Sequence, residues 1–175
     1  MRDDDGFTLP ELMVTVAVLG TLLAVALPAA DELFEANAAR GAVSDLTISL
    51  ALARSEAVRR GVPVTVCPSR DGMRCNDDAI WDQGWITFVD AAKSGQPADP
   101  ASIIRQAVPS PRVRVMATAG RQRVRFRGDG FSPGSNVTLA VCSRRREGLY
   151  ARVIVNNGGR PRSEFAASPT PCPGT

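Results

Sequence analysis

The sequence predicts an α+β protein in which one long N-terminal helix leads into a β-rich head. Three observations carry this. From Leu12 to Leu27 there is no charged side chain, and only Thr15, Gly20 and Thr21 interrupt the aliphatic ones. Ala39, Val43, Leu46, Leu50, Ala53 and Ala57 then recur at alternating steps of four and three, the stripe of a helix that packs on a sheet. From Val62 onward the period shortens to brief β runs broken by turn residues.

The stretch from Phe7 to Leu27 has 21 residues. At about 1.5 Å per residue it reaches roughly 32 Å, the depth of a bilayer. A secretory leader would carry a basic start, a shorter apolar core and a small-residue cleavage site after that core. Here Gly6 precedes the apolar run, so cleavage beside it leaves the helix on the mature chain. A buried core helix is the alternative, and so long an uncharged run is unusual for one. Gly6-Phe7-Thr8-Leu9-Pro10-Glu11-Leu12-Met13 resembles the processing and assembly signal of type IV prepilins and type II secretion pseudopilins. The resemblance implies cleavage between Gly6 and Phe7 by a prepilin peptidase and N-methylation of Phe7. It also implies a single pass through the bacterial inner membrane, a periplasmic head, and stacking with other pilin or pseudopilin subunits.

Glu11 places a carboxylate at the mouth of an apolar helix. Thr8-Leu9-Pro10-Glu11 fits a capping box that satisfies orphan N–H groups. In the assembled filament the leader context implies a second role, pairing with the free α-amine of Phe7 in a neighbouring subunit. A carboxylate in lipid costs about 2.5–3.5 kcal/mol, so such a partner sets the stagger between subunits. Pro10 departs from the aliphatic residue pilins usually carry, but in the first helical turn its missing N–H has no partner to lose. The leader is acidic, with Arg2 against Asp3, Asp4 and Asp5, so topology rests on the resemblance rather than on positive-inside charge.

About 145 residues follow the membrane segment, enough for one globular domain. The expected division is a leader (1–6), a transmembrane and assembly helix (7–30), its amphipathic half (31–61), a β-rich head (62–167) and a Pro-rich tail (168–175). Pro28 is expected to end or kink the helix, and Arg59, Arg60, Gly61 and Pro63 stop its second half. Strands are expected near Val62–Cys67, Trp85–Asp90, Ile103–Val108, Arg112–Ala117, Arg123–Arg127, Val137–Cys142, Ala151–Val155 and Arg160–Phe165. Cys67, Cys75, Cys142 and Cys172 lie in what the topology makes an oxidising compartment, and four cysteines allow three pairings. The simplest is Cys67–Cys75, closing a short loop, with Cys142–Cys172 tying the tail to a strand. A zinc site is disfavoured because no C-x₂₋₄-C element and no histidine is present.

Two further stretches extend the resemblance. Leu52-Ala-Arg-Ser-Glu-Ala-Val-Arg-Arg-Gly-Val-Pro-Val-Thr-Val-Cys-Pro-Ser69 and Trp81-Asp-Gln-Gly-Trp-Ile-Thr-Phe-Val-Asp90 resemble the GspH/FimT family of minor pseudopilins and minor pilins, as does Ala151–Arg162. The family implies a type IV pilin-like fold, a helix packed on antiparallel β-sheets, in noncatalytic filament subunits that need no cofactor. The residues agree on catalysis. Without histidine, His-based triads and His metal sites are excluded, no phosphate-binding glycine loop is present, and Lys93 sits in a Gly/Pro/Ala-rich loop. Asp71, Asp77, Asp78 and Asp82 could offer oxygen ligands to calcium, but they lack EF-hand spacing and read more simply as a solvated acidic loop.

Charge is divided by position. Residues 1–100 hold 8 basic and 15 acidic side chains, a net of −7, whereas residues 101–175 hold 13 arginines against Asp129, Glu147 and Glu164, a net of +10. Codon bias explains arginine over lysine but not the loss of acids, so the asymmetry points to a polyanionic partner. Arg121, Arg123, Arg125 and Arg127 alternate and would share one strand face, either solvated or a polyanion track. Arg144, Arg145 and Arg146 fall at an expected hairpin tip. Gly159-Arg160-Pro161-Arg162 matches the Gly-Arg-x-Arg motif of FimT-type minor pilins, which implies DNA capture during natural transformation through Arg160 and Arg162. Arg144–Arg146 and Arg152 are the expected supporting contacts. Few aromatics are interleaved, so the expected mode is salt-sensitive phosphate contact without base stacking. The competing expectation is a purely structural subunit of a secretion pseudopilus or a pilus-priming complex, whose arginines contact neighbouring subunits.

Overall fold

The computed structural model describes residues 9–118, 121–167 and 170–173. One helix, α1 (Leu9–Arg60), is followed by eight strands: β1 (Val64–Pro68), β2 (Trp85–Val89), β3 (Ile103–Ala107), β4 (Val113–Ala117), β5 (Val124–Phe126), β6 (Val137–Ser143), β7 (Leu149–Val155) and β8 (Pro161–Phe165). Each expected strand is present with its ends within two residues. The helix does not end at Pro28, because a proline removes only one intrahelical hydrogen bond and the flanking turns retain theirs. Gly6, Phe7 and Thr8 lie outside the described residues, so the cleavage site, the methylation site and half of the capping box do too.

The chain divides into two compact units, Met1–Glu35 and Ala36–Thr175. In the first, every side chain from Leu9 to Leu27 is exposed. Its only polar side chains between Leu12 and Leu27 are satisfied internally, since Thr15 and Thr21 donate to the carbonyls of Leu12 and Val18 at 2.8 Å. The segment is long and apolar enough to cross a membrane. Glu11 stands in the first turn of α1.

The second unit is two antiparallel four-stranded sheets, ordered β3-β2-β1-β5 and β4-β6-β7-β8. The helical stripe Ala39, Val43, Leu46, Leu50, Ala53 and Ala57 is buried. It joins Val64, Val66, Trp81, Trp85, Val124 and Phe126, and from the second sheet Val137, Leu139 and Val153, in one core. Alternate residues of the first sheet turn the other way. There Cys67, Cys75, Ile86 and Phe88 make a second cluster beneath the short disulfide loop.

Disulfides join Cys67 to Cys75 and Cys142 to Cys172. The second pins the tail on the outer face of the second sheet, beside Ala140 and Leu149. Replacing Cys142 and Cys172 by alanine is expected to cost about 2 kcal/mol, the low end for a native bridge. The effect is limited because Leu149 N–H donates to Thr170 O at 2.9 Å and Cys172 N–H to Glu147 O at 3.0 Å, which hold the tail independently. Chemical denaturation of the full chain, followed by tryptophan fluorescence, measures it.

Candidate nucleic-acid interface

The β7–β8 turn is held by its own backbone and by the loop before β6. Gly159 N–H donates to Asn156 O at 2.9 Å, and Gly158 N–H to Asn156 Oδ1 at 3.1 Å. Asn157 accepts from Ser132 N–H at its carbonyl and from Gly134 N–H at its side chain, at 2.9 and 3.1 Å. Of the two glycines only Gly159 is left-handed, with φ of +68°. A Cβ there would also collide with the carbonyl oxygen of Gly130. Gly159 is therefore fixed by conformation and by space, and it sets the direction in which Arg160-Pro161-Arg162 leaves the turn.

Arg160 is exposed and has no acidic partner among the described residues. Arg162 is exposed too, and its Nε lies 3.2 Å from Glu164 Oε1. Both carboxylate and guanidinium are more than half exposed, so the pair is worth little and leaves the arginine available. Arg152 points outward from the middle of β7, opposite Glu164 in the register, and carries no ion pair among the described residues. Arg144, Arg145 and Arg146 form the β6–β7 turn. Arg144 is engaged by the fold itself: it donates to Asp82 Oδ2 at 2.9 Å and to Pro111 O at 3.2 Å.

The six expected contacts are thus not one cluster. Consecutive turns of a meander lie at opposite ends of the shared strand, so β7 separates Arg144–Arg146 from Arg160–Arg162 by about 20 Å, at ~3.3 Å per residue. Arg152 stands between them on the outer face.

The alternating arginines form a different feature. Val124 and Phe126 point into the core, and Arg123, Arg125 and Arg127 point out. With Lys93 and Arg121 they line an open cleft of about 590 Å³. Much of this charge is compensated. Arg123 pairs with Asp77 at 2.7 Å, Arg127 with Asp129 at 3.1 Å, and Arg125 with Asp90 at 3.0 Å. Asp90 is only 2% exposed and also accepts from Thr65 Oγ1 at 2.9 Å and from Gly95 N–H at 3.2 Å. Arg125 donates onward to Lys93 O at 3.1 Å, and Lys93 takes a left-handed φ of 57°. The cleft is a built framework with Arg121 and Lys93 as its uncompensated cations among the described residues.

The acidic loop is likewise engaged by arginine. Asp78 pairs with Arg70, Asp77 with Arg123 and Asp82 with Arg144, while Asp71 caps its own turn. The Met73 and Arg74 N–H groups hold the Asp71 carboxyl below the usual carboxylate range.

Sequence reasoning missed the helical side of the site. Pro161 faces α1, where Ala51, Arg54, Ser55, Val58 and Arg59 complete a groove of about 560 Å³. At the end of α1, hydrogen bonds from Arg59 and then Arg60 lower the Glu56 carboxyl to about 2. Arg54 has no such partner among the described residues. Nothing local in the sequence connects Arg54 with a loop a hundred residues away.

The model of the family described as "Type II transport protein GspH" matches residues 42–159, more than half of the chain. That of the prokaryotic N-terminal methylation motif matches residues 1–27. The family match stops at Gly159, immediately before Arg160. Among solved structures, the type IV minor pilin FimU of Pseudomonas aeruginosa superposes in two crystal forms. The TM-scores are 0.60 and 0.58, both at 22% identity, over 77% and 75% of this chain and 93% and 96% of that one. The minor pseudopilin EpsH from the type 2 secretion system of Vibrio cholerae superposes with a TM-score of 0.53 at 16% identity, over 74% of this chain and 98% of its own. These likenesses are of fold. No curated protein sequence matches the chain significantly.

Proposed function

The chain belongs to the GspH family of type II transport proteins, and from that premise we propose that it is a minor type IV pilin of the FimT kind whose head binds DNA for uptake in natural transformation. In this reading prepilin peptidase cleaves between Gly6 and Phe7, Phe7 is N-methylated, and residues 7–30 anchor the subunit in the inner membrane with its head in the periplasm. The methylation-motif match at residues 1–27 supports the leader. Glu11 then pairs with the Phe7 amine of a neighbouring subunit and fixes the stagger.

The observation that carries DNA binding is the Gly159–Arg162 turn, a hydrogen-bonded backbone presenting Arg160 without a competing acid among the described residues. Arginine forks on fixed backbone meet phosphate oxygens without sequence preference, and Arg152 adds a contact along the outer face of β7. Arg145 and Arg146 are distal supports, reached only by a polymer that runs the length of β7.

The structural reading of a secretion pseudopilus subunit has its own support. Arg105, Arg123, Arg125 and Arg144 pair with acids from the first hundred residues, so part of the basic excess serves the fold.

The test is duplex DNA binding by the full chain in nonionic detergent at low salt, read by fluorescence anisotropy. Arg160→Ala with Arg162→Ala is expected to weaken binding by at least about tenfold, the loss of two charge-assisted contacts. Unchanged affinity would overturn the site, and no binding by the parent chain would favour the structural subunit.

A further inference from the structure

The groove beside Pro161 has the wrong lining for a phosphate backbone alone. Its floor is apolar, made by Ala51, Val58 and Pro161, and Val58 is 53% exposed. Its rim carries Arg54 and Arg59, and Arg160 and Arg162 flank Pro161 in the chain. The loop before β6 closes on the same spot. A Cβ built at Gly130 would lie 3.0 Å from Val58 Cγ2 and 3.2 Å from Arg54 Nε, so the backbone there packs against two of the residues that line the groove. The next residue, Phe131, is 56% exposed on a turn fixed by Phe131 N–H to Asp129 Oδ1 at 3.0 Å and Arg127 N–H to Phe131 O at 2.8 Å.

We infer that this groove takes an unpaired nucleobase while Arg160 holds the adjoining phosphate and Arg162, turned to the outer face of β8, meets the strand farther along, so that the head prefers single-stranded DNA to duplex. The inference rests on the DNA-binding reading above and names the form of DNA that the same site favours. An apolar slot edged by cations suits a ligand that is flat and apolar in one part and anionic in the next, which is a nucleotide in an unstacked strand. A duplex keeps its base faces inside the stack and presents only phosphates and groove edges to such a slot. The planar guanidinium of Arg54 offers a stacking face at the rim. The charge complementarity is direct, because Arg54 and Arg160 both lack acidic partners among the described residues.

Three probes separate the possibilities, each bound by the full chain in nonionic detergent: a thymidylate strand of about 16 nucleotides, an abasic strand of equal length and charge, and a duplex. The thymidylate strand is expected to bind about fivefold tighter than the abasic strand, the low end of what base stacking contributes. Ala51→Trp fills the groove from an exposed position, removes no arginine and should bring the thymidylate strand down to the abasic level. Val58→Ser, also at an exposed position, should reduce the preference in the same direction. Equal binding of thymidylate and abasic strands, both still lost in the Arg160→Ala, Arg162→Ala variant, overturns the inference and leaves the DNA-binding reading standing. A base preference that survives both groove variants overturns the assignment to this groove. Failure to bind any of the three probes overturns both readings together.

Discussion

Trp85→Ala is expected to destabilise the head by about 3–5 kcal/mol, the range for emptying the space of a large buried aromatic. Trp85 is 1% exposed, at the start of β2, and its ring lies 6.2 Å from that of Trp81 at a tilt of 43°. Its indole N–H donates to Ser49 Oγ on α1 at 2.9 Å. The same Ser49 Oγ accepts from Arg105 Nε at 3.2 Å, and Arg105 pairs with Asp45 at 2.8 Å. One side chain therefore fills the core between helix and sheet and anchors a polar seam along its edge. Trp85→Phe separates the two contributions: most of the packing is kept, the hydrogen bond is lost, and the expected cost falls to about 1–2 kcal/mol. Denaturant titration of both variants checks the ranking. Equal stability of Trp85→Ala and the parent would show that β2 does not pack on α1 as described.

Gly159→Ala is expected to lower stability by about 2–4 kcal/mol and DNA affinity by about tenfold without removing a charge. A left-handed backbone costs an L-residue about 1–2 kcal/mol, and the collision with the Gly130 carbonyl forces the turn to shift. The shift moves Arg160 and Arg162 together, away from the line set by Asn156 and Asn157. Gly158→Ala is the control. Gly158 is absent from the left-handed glycines, and a Cβ there would lie 3.2 Å from Asn156 Oδ1, the end of a side chain that can yield. Its variant is expected to fold and bind almost as the parent does. Similar losses in both variants would deny Gly159 its special role.

Much of this fold was legible in the sequence because it rests on periodicity. The four-three stripe on α1 is buried as expected, and β5 alternates between core valine and phenylalanine and outward arginine. What the sequence did not disclose is pairing over long distances. The division into an acidic first half and a basic second half reads as a polyanion signal, yet Asp45, Asp77, Asp82 and Asp90 fold back onto Arg105, Arg123, Arg144 and Arg125. The net charge is unchanged, but Arg105, Arg123, Arg125 and Arg144 are drawn into the fold, and the candidate surface contracts around Arg152, Arg160 and Arg162.

Placement of the turns was legible as well. With strands at Val137–Ser143, Leu149–Val155 and Pro161–Phe165, a meander puts its two turns at opposite ends. Arg144–Arg146 could not join Arg160 in one patch. The groove formed by Arg54, Val58 and Pro161 had no local signal, since it exists only where the last strand passes the helix.

The salt dependence of duplex binding tests most directly whether Arg160 and Arg162 touch phosphate. Each phosphate contact contributes about 0.9 to the slope of log K against log salt concentration. The full chain and its Arg160→Ala, Arg162→Ala variant should therefore differ in slope by about 1.8, with the variant shallower. Parallel lines, displaced or not, would contradict phosphate contact by these two arginines.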